Sequence, residues 1–208
     1  MTGKPDQWLL WAREIQAISQ TGLHFSQNDF DIQRYRRLAE ISAEIFELHS
    51  GVPSGDLVKI FIDQKGYATP KVDVRSAAFR EGKLLLVQEK VDGGWSMPGG
   101  WADMNEAPSF VAEREAWEES GFQVKAKKLI GVFEANHDRE PISVFHAFKV
   151  VFLCEILGGS PRPSNETTDI GFFAQDALPC FSEERTPPRL VEEAFAHFRD
   201  PERLAAFD

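Results

Sequence analysis

Residues 95–122 read WSMPGGWADMNEAPSFVAEREAWEESGF, a glycine-rich turn running into a segment dense in acid. Pro108 suits the first turn of a helix, where a missing N–H is no loss, and Gly121 suits the C-terminal cap. The spacing therefore predicts a helix from Ala107 to Ser120. On it Glu115, Glu118 and Glu119 fall within an arc of roughly 100°. Phe110 and Trp117 are expected on the other side, anchoring the helix on a sheet. Carboxylates at i, i+3 and i+4 repel one another by about a few tenths of a kcal/mol per pair, and Glu106 and Glu113 lie close by. A solvated acidic face would account for a lone pair of glutamates. Three of them opposite aromatics, reached through Pro98-Gly99-Gly100, are instead the hard oxygen ligands that Mg²⁺ or Mn²⁺ requires. Arg114 can orient a carboxylate by a charge-assisted hydrogen bond. The two glycines let the backbone turn tightly and approach a ligand.

Outward from this stretch the pattern is strands around a helix. Residues 72–75 alternate, residues 83–89 (KLLLVQE) read as a mostly buried strand, and residues 93–100 read as loop. Further strands are expected at 129–134 and 144–156, with a closing helix at 190–198. The first 50 or so residues are helical by periodicity. Trp8, Trp11, Ile15 and Ile18 form one stripe, read as core. After Asn28 as a cap, Ile32, Tyr35, Leu38, Ile45 and Leu48 form another. Two such helices cannot bury their stripes alone and must dock on the rest of the chain or on a second subunit. The apolar run 57–62 fits helix or strand equally well. Gly66 and Pro70 mark a boundary, giving an N-terminal helical domain at 1–66 and an α/β domain at 67–208.

The chain has 208 residues, 42% of them hydrophobic and 12% aromatic, which excludes a disordered chain. Against 33 Asp+Glu stand 23 Lys+Arg, a formal charge of −10 that suits nucleic-acid phosphates poorly. It does not exclude phosphate substrates, because a bound divalent cation reverses the local sign. Two cysteines, Cys154 and Cys180, are too few for a disulfide scaffold. The N-terminus does not read as a signal peptide and no apolar run is long enough to span a membrane, so a soluble cytoplasmic protein is expected.

The spacing Gly100, Glu106, Arg114-Glu115-Ala116, Glu118-Glu119, Gly121-Phe122 resembles the Nudix box, G-x5-E-x7-R-E-U-x-E-E-x-G-U. Ala116 is smaller than the usual bulky residue, and Trp117 or Phe110 is expected to fill the space. The resemblance implies an α/β/α sandwich around a mixed sheet, and hydrolysis of a nucleoside diphosphate linked to another moiety. By position it implies Glu115, Glu118 and Glu119 as metal ligands, with the Gly99 or Gly100 carbonyl nearby and Glu106 and Arg114 in support. Catalytic weight falls on Glu115, Glu119 and Arg114, with Glu118 or Glu166 as the base. Glu166, in a loop after the box, is a further ligand of this kind or an ordinary loop acid. The helical N-terminus, residues 67–75 (YATPKVDVR) and residues 95–103 (WSMPGGWAD) look like the CDP-choline pyrophosphatase-like branch. That branch includes enzymes preferring ADP-ribose, and its members tend to be homodimers.

For a small-molecule nucleotide substrate, Trp95, Trp101, Phe133 and Tyr67 are possible base platforms, each competing with a core role. Arg75, Arg139 and His137 could reach phosphate or ribose, and His146 reads as a core histidine. Competing readings are a nucleotide-sensing module without turnover, which the intact box disfavours, and an RNA-directed hydrolase, which the net charge disfavours.

Overall fold

The computed structural model describes residues 6–135, 145–182 and 184–208. They form two compact units. The first is the described chain up to Pro70 with residues 145–146; the second is Lys71–Ala135 with the described part of Ala147–Asp208.

The first unit contains α1 (Gln7–Phe25), α2 (Asp29–Ser50) and α3 (Ser54–Asp63), so the run 57–62 is helical. Asn28 caps α2, its Oδ1 accepting the Phe30 N–H at 2.9 Å, and Gly51 ends it at φ 71°. The expected stripes are not the buried ones. Ala12, Ala39, Ser42 and Ala43 are buried, with Leu9, Phe46, Leu57 and Phe61 as the larger core, and Ser42 Oγ donates to the Ala12 carbonyl at 2.8 Å. Small residues let helix backbones approach closely, which leaves no room for indole rings between them. Trp11 is 57% exposed, Ile18 50% and Leu48 81%, and half-buried Trp8 stacks on His49.

The second unit is built on β1 (Lys71–Arg80). It pairs parallel with β6 (Ala147–Gly159) and antiparallel with β2 (Lys83–Glu89) and with the short β4 (Gly99–Trp101). β2 also pairs with β3 (Trp95–Ser96) and β7 (Thr167–Phe173), while β6 pairs with β5 (Phe122–Glu134), which carries β8 (Ala206–Phe207) parallel at its edge. Alternate residues of the strands point to opposite faces. Val74, Ala78 and Leu85 meet α4 (Pro108–Ser120) through Val111, Ala112 and Ala116. Ala77, Leu84 and Leu86 meet α5 (Pro188–Arg199) through Leu190, Val191, Ala194 and Phe195. The result is an α/β/α sandwich around a mixed sheet.

Several local expectations need correction. The stretch 93–100 contains β3 and the start of β4, whose pairing with β2 and β1 no local pattern announces. β7 was not anticipated, and β5 begins at Phe122 rather than at 129. Phe110 and Trp117 are exposed; Ala116 itself lies on the sheet, its small side chain bringing the helix close. His146 is exposed rather than core, and Phe133 is core. No helix among the described residues is long and apolar enough to cross a membrane.

Candidate active site

The carboxylates of α4 reach the Gly99–Gly100 strand because it carries no side chains. A Cβ on Gly99 would overlap the Val74 carbonyl, and one on Gly100 would lie 2.7 Å from Glu115 Oε1. Across this bare strand the Gly99 N–H donates to Glu119 Oε2 at 2.9 Å. Thr167 Oγ1 donates to the Glu119 carbonyl at 3.0 Å, tying the helix end to β7. Arg114 stands amid the acids. Its Nε and one terminal nitrogen grip Glu106 at 2.9 and 3.0 Å, and its other terminal nitrogen bonds Glu115 at 3.0 Å and Glu118 at 2.9 Å.

These surroundings separate the carboxylates electrically. Arg114 holds Glu106 below the ordinary range. Burial raises Glu115. Burial also pushes Glu119 up to about 8, with Glu89 and Glu115 adding to it and Arg75 and the Gly99 N–H opposing.

Beneath the glycine strand lies a second layer of buried charge. Arg75 grips Asp73 at 2.7 and 3.0 Å and donates to the Met97 carbonyl at 3.2 Å, and Lys149 reaches Asp73 at 2.7 Å. Burial opposes the charge on Asp73, but Arg75 and Lys149 outweigh it and keep the carboxyl below its ordinary value. Glu89, at the end of β2, accepts from Ser96 Oγ at 2.5 Å and faces Arg185 Nε at 3.3 Å.

Among the described residues no three His, Cys, Asp or Glu side chains already converge as a metal cage. The donor set nevertheless fits a divalent cation. It offers hard carboxylate oxygens from Glu115 and Glu119 on a bare backbone, Glu118 at the rim, and in Glu119 a buried acid whose charge lacks full compensation.

Residues 69–194 match the NUDIX domain family, and residues 6–61 match a family described as UDP-X-like, N-terminal oligomerisation domain. The chain belongs to the Nudix family. YjhB of Bacillus subtilis (strain 168), provisionally named an ADP-ribose pyrophosphatase, is 35% identical over 202 residues, 97% of each chain. A crystal structure of a UDP-X diphosphatase is 30% identical, covers 97% of this chain and 98% of its own, and superposes with a TM-score of 0.62. That of an ADP-ribose pyrophosphatase from Streptococcus suis 89-1591 is 35% identical, with 67% of this chain and 100% of its own covered at a TM-score of 0.61. This Nudix chain is an enzyme, a hydrolase of nucleoside diphosphate-linked moieties.

The structure brings Gly99 together with Gly100, Arg114, Glu115, Glu118 and Glu119 of the Nudix box. Glu166 is exposed at a loop end, where its carbonyl accepts the Lys90 N–H at 2.9 Å, next to the Thr167 that holds the Glu119 backbone. Two expectations are corrected. Arg75 is buried and committed to Asp73, so it braces the glycine strand instead of meeting substrate at a strand end. Trp95 packs edge-on against Phe173, with ring centroids 4.7 Å apart, and is a packing residue rather than an open platform. Trp101, exposed at the end of β4, has the Lys71 ammonium over its ring, 6.0 Å from the centroid. Phe133 is buried and Tyr67 belongs to the first unit; His137 and Arg139 lie outside the described residues. Sequence reasoning missed Asp73, Lys149, Glu89 and Arg185. The one available signal was an acid closing the buried run KLLLVQE.

Proposed function

We propose that this enzyme cleaves the pyrophosphate bond of a dinucleotide-like substrate of the ADP-ribose type, using Mg²⁺ or Mn²⁺, as a homodimer joined through its N-terminal helices. One water adds, one P–O–P linkage breaks, and two phosphate monoesters leave. The observation that carries this reading is the acid cluster held against the bare Gly99–Gly100 strand. A bound divalent cation supplies charge stabilisation for phosphate oxygens and acidifies water. Glu115 and Glu119 hold that ion, and Arg114 fixes Glu115 and Glu118 in place. Glu118, exposed at the rim, takes the proton of the attacking water, with Glu166 as the alternative base. The name of YjhB, matched over 97% of each chain, favours ADP-ribose, while the UDP-X diphosphatase structure and the UDP-X-like N-terminal unit keep other nucleoside diphosphate conjugates, CDP-choline among them, in the test. Dimerisation is supported by the oligomerisation family matched by residues 6–61 and by the bulky apolar side chains exposed on α1.

The deciding experiment is monoester release, read through alkaline phosphatase, from ADP-ribose, CDP-choline, NADH, UDP-sugars and dinucleoside polyphosphates with each metal. The expected result is one preferred compound with turnover abolished by excess EDTA. A flat response across the panel, or turnover that persists in EDTA, overturns the proposal.

A further inference from the structure

Cys180, Ser182 and Thr186 are hydrogen-bonded to the strand that leads into the glycine turn. The Trp95 N–H donates to the Cys180 carbonyl and the Ser182 N–H to the Trp95 carbonyl, both at 2.9 Å. The Met97 N–H donates to Thr186 Oγ1 at 3.0 Å. Gly94 makes the approach possible, since a Cβ there would lie 2.5 Å from the Ser182 nitrogen. Arg185 is part of this strap, and its carbonyl accepts the buried Lys149 ammonium at 3.0 Å.

The surroundings of the Arg185 side chain are unusual. Its Nε lies 3.3 Å from Glu89 Oε2, on a carboxylate only 1% exposed. A charge taken out of water is costly unless it is paired, so a wholly buried glutamate needs a partner, and Arg185 is its cationic one. Yet the Arg185 side chain stays 30% exposed, and its two terminal nitrogens form no hydrogen bond among the described residues. Thr186, the next residue, is bound by Met97 two positions before Gly99, whose N–H holds Glu119, so the strap brings this guanidinium to the acid cluster's side of the glycine turn. The contact with Glu89 is an ion pair in which Oε2 accepts no hydrogen bond among the described residues, and a guanidinium so paired, with its terminal N–H groups open, has the donors that match phosphate oxygens. It also offsets the repulsion that the glutamates impose on an anion.

We infer that Arg185 binds a phosphate oxygen of the nucleoside diphosphate, with Glu89 as the positioning residue that holds it. This deepens the pyrophosphohydrolase reading and rests on it. The test is calorimetric titration of ADP with Mg²⁺ into the full chain and its variants, beside steady-state kinetics on ADP-ribose. Arg185→Gln is expected to weaken ADP about tenfold or more and to raise KM similarly, with kcat within about threefold. Glu89→Gln gives a smaller loss in the same direction, and Arg185→Lys, which keeps the charge without the fork, recovers part of the affinity. An ADP affinity within twofold of wild type in Arg185→Gln, a fall in kcat with KM unmoved, or no ADP binding by the wild-type chain overturns the inference. Should Arg185→Gln fail to fold, Arg185→Lys decides. A several-fold weaker ADP affinity at an unchanged melting temperature supports the role, and a wild-type affinity overturns it. If no compound in the panel is hydrolysed, the proposed function fails, while the ADP comparison still decides for or against Arg185.

Discussion

The two units of this chain bury opposite kinds of residue. In the helical unit the seam is made of Ala12, Ala39, Ser42 and Ala43, and the bulky apolar side chains Trp11, Ile18 and Leu48 are outside. In the catalytic unit the interior admits Asp73, Arg75, Glu89, Glu119 and Lys149, all less than a tenth exposed. Hydrophobicity alone would reverse both choices. The first unit gains close helix contact and keeps an apolar surface. The second accepts the desolvation of Asp73, Arg75 and Lys149 because they meet one another, and of Glu89 because Arg185 lies beside it. It leaves Glu119 only partly compensated beside a backbone with no side chains.

The strongest way to break this comparison is at Glu119. If its burial serves chemistry, Glu119→Gln lowers kcat about a thousandfold, since ion-mediated charge stabilisation is worth several kcal/mol. The melting temperature should not fall, because the variant removes a carboxylate that burial disfavours. Monoester release and thermal unfolding on one preparation check both halves. A variant that melts early would make Glu119 structural.

Asp73 is the converse case. Asp73→Ala leaves Arg75 and Lys149 buried without their shared partner. The expected loss is about 3–5 kcal/mol of unfolding free energy by urea titration. A loss under about 1 kcal/mol would mean that the buried charges are not mutually compensated.

How much of this could be read from the sequence follows the range of the interactions. The box helix, the strand 83–89 and the closing helix were legible because their signals are local: Pro108 and Gly121 as punctuation, KLLLVQE as an unbroken apolar run, and Leu190, Val191, Ala194 and Phe195 at helical spacing. The inward face of each N-terminal helix was not. Alanine and serine carry little hydrophobic signal, and only the partner helix makes their small size decisive. β3 and β4 are two and three residues long and exist through pairing with distant strands. In the site, the box residues were legible from their spacing. The ion layer was not, because Lys149 meets Asp73 across 76 residues of sequence and Arg185 meets Glu89 from a loop with no motif.

In the helical unit the comparison sharpens into two substitutions with opposite outcomes. Ala43→Leu overpacks the seam and should cost about 1–3 kcal/mol. Trp11→Ser combined with Ile18→Ser should change monomer stability by only about 0.5 kcal/mol while weakening self-association, read as a shift to monomer in sedimentation velocity across a dilution series. If the double variant unfolds instead, the outward stripe belongs to the core after all.

The smallest expected effect tests whether burial of a polar group in the catalytic unit is confined to the site. His197 on α5 is fully buried, and neither ring nitrogen has a hydrogen-bond partner among the described residues. Burial first, and Lys128 next, lower its affinity for a proton, while Glu193, 3.9 Å from Nε2, pulls the other way. The folded state therefore prefers neutral imidazole, whereas the unfolded chain takes up a proton near pH ~6.5. Stability from this group is complete above that pH and is lost as the pH falls below it. Urea titrations at pH 7.5, 6.5 and 5.5 should show a decline over the lower interval that His197→Phe flattens, with kcat at pH 7.5 unchanged in the variant. A decline that survives the substitution would show that the buried imidazole does not carry the acid sensitivity, and would remove His197 as a second place in this unit where burial of a polar group costs stability.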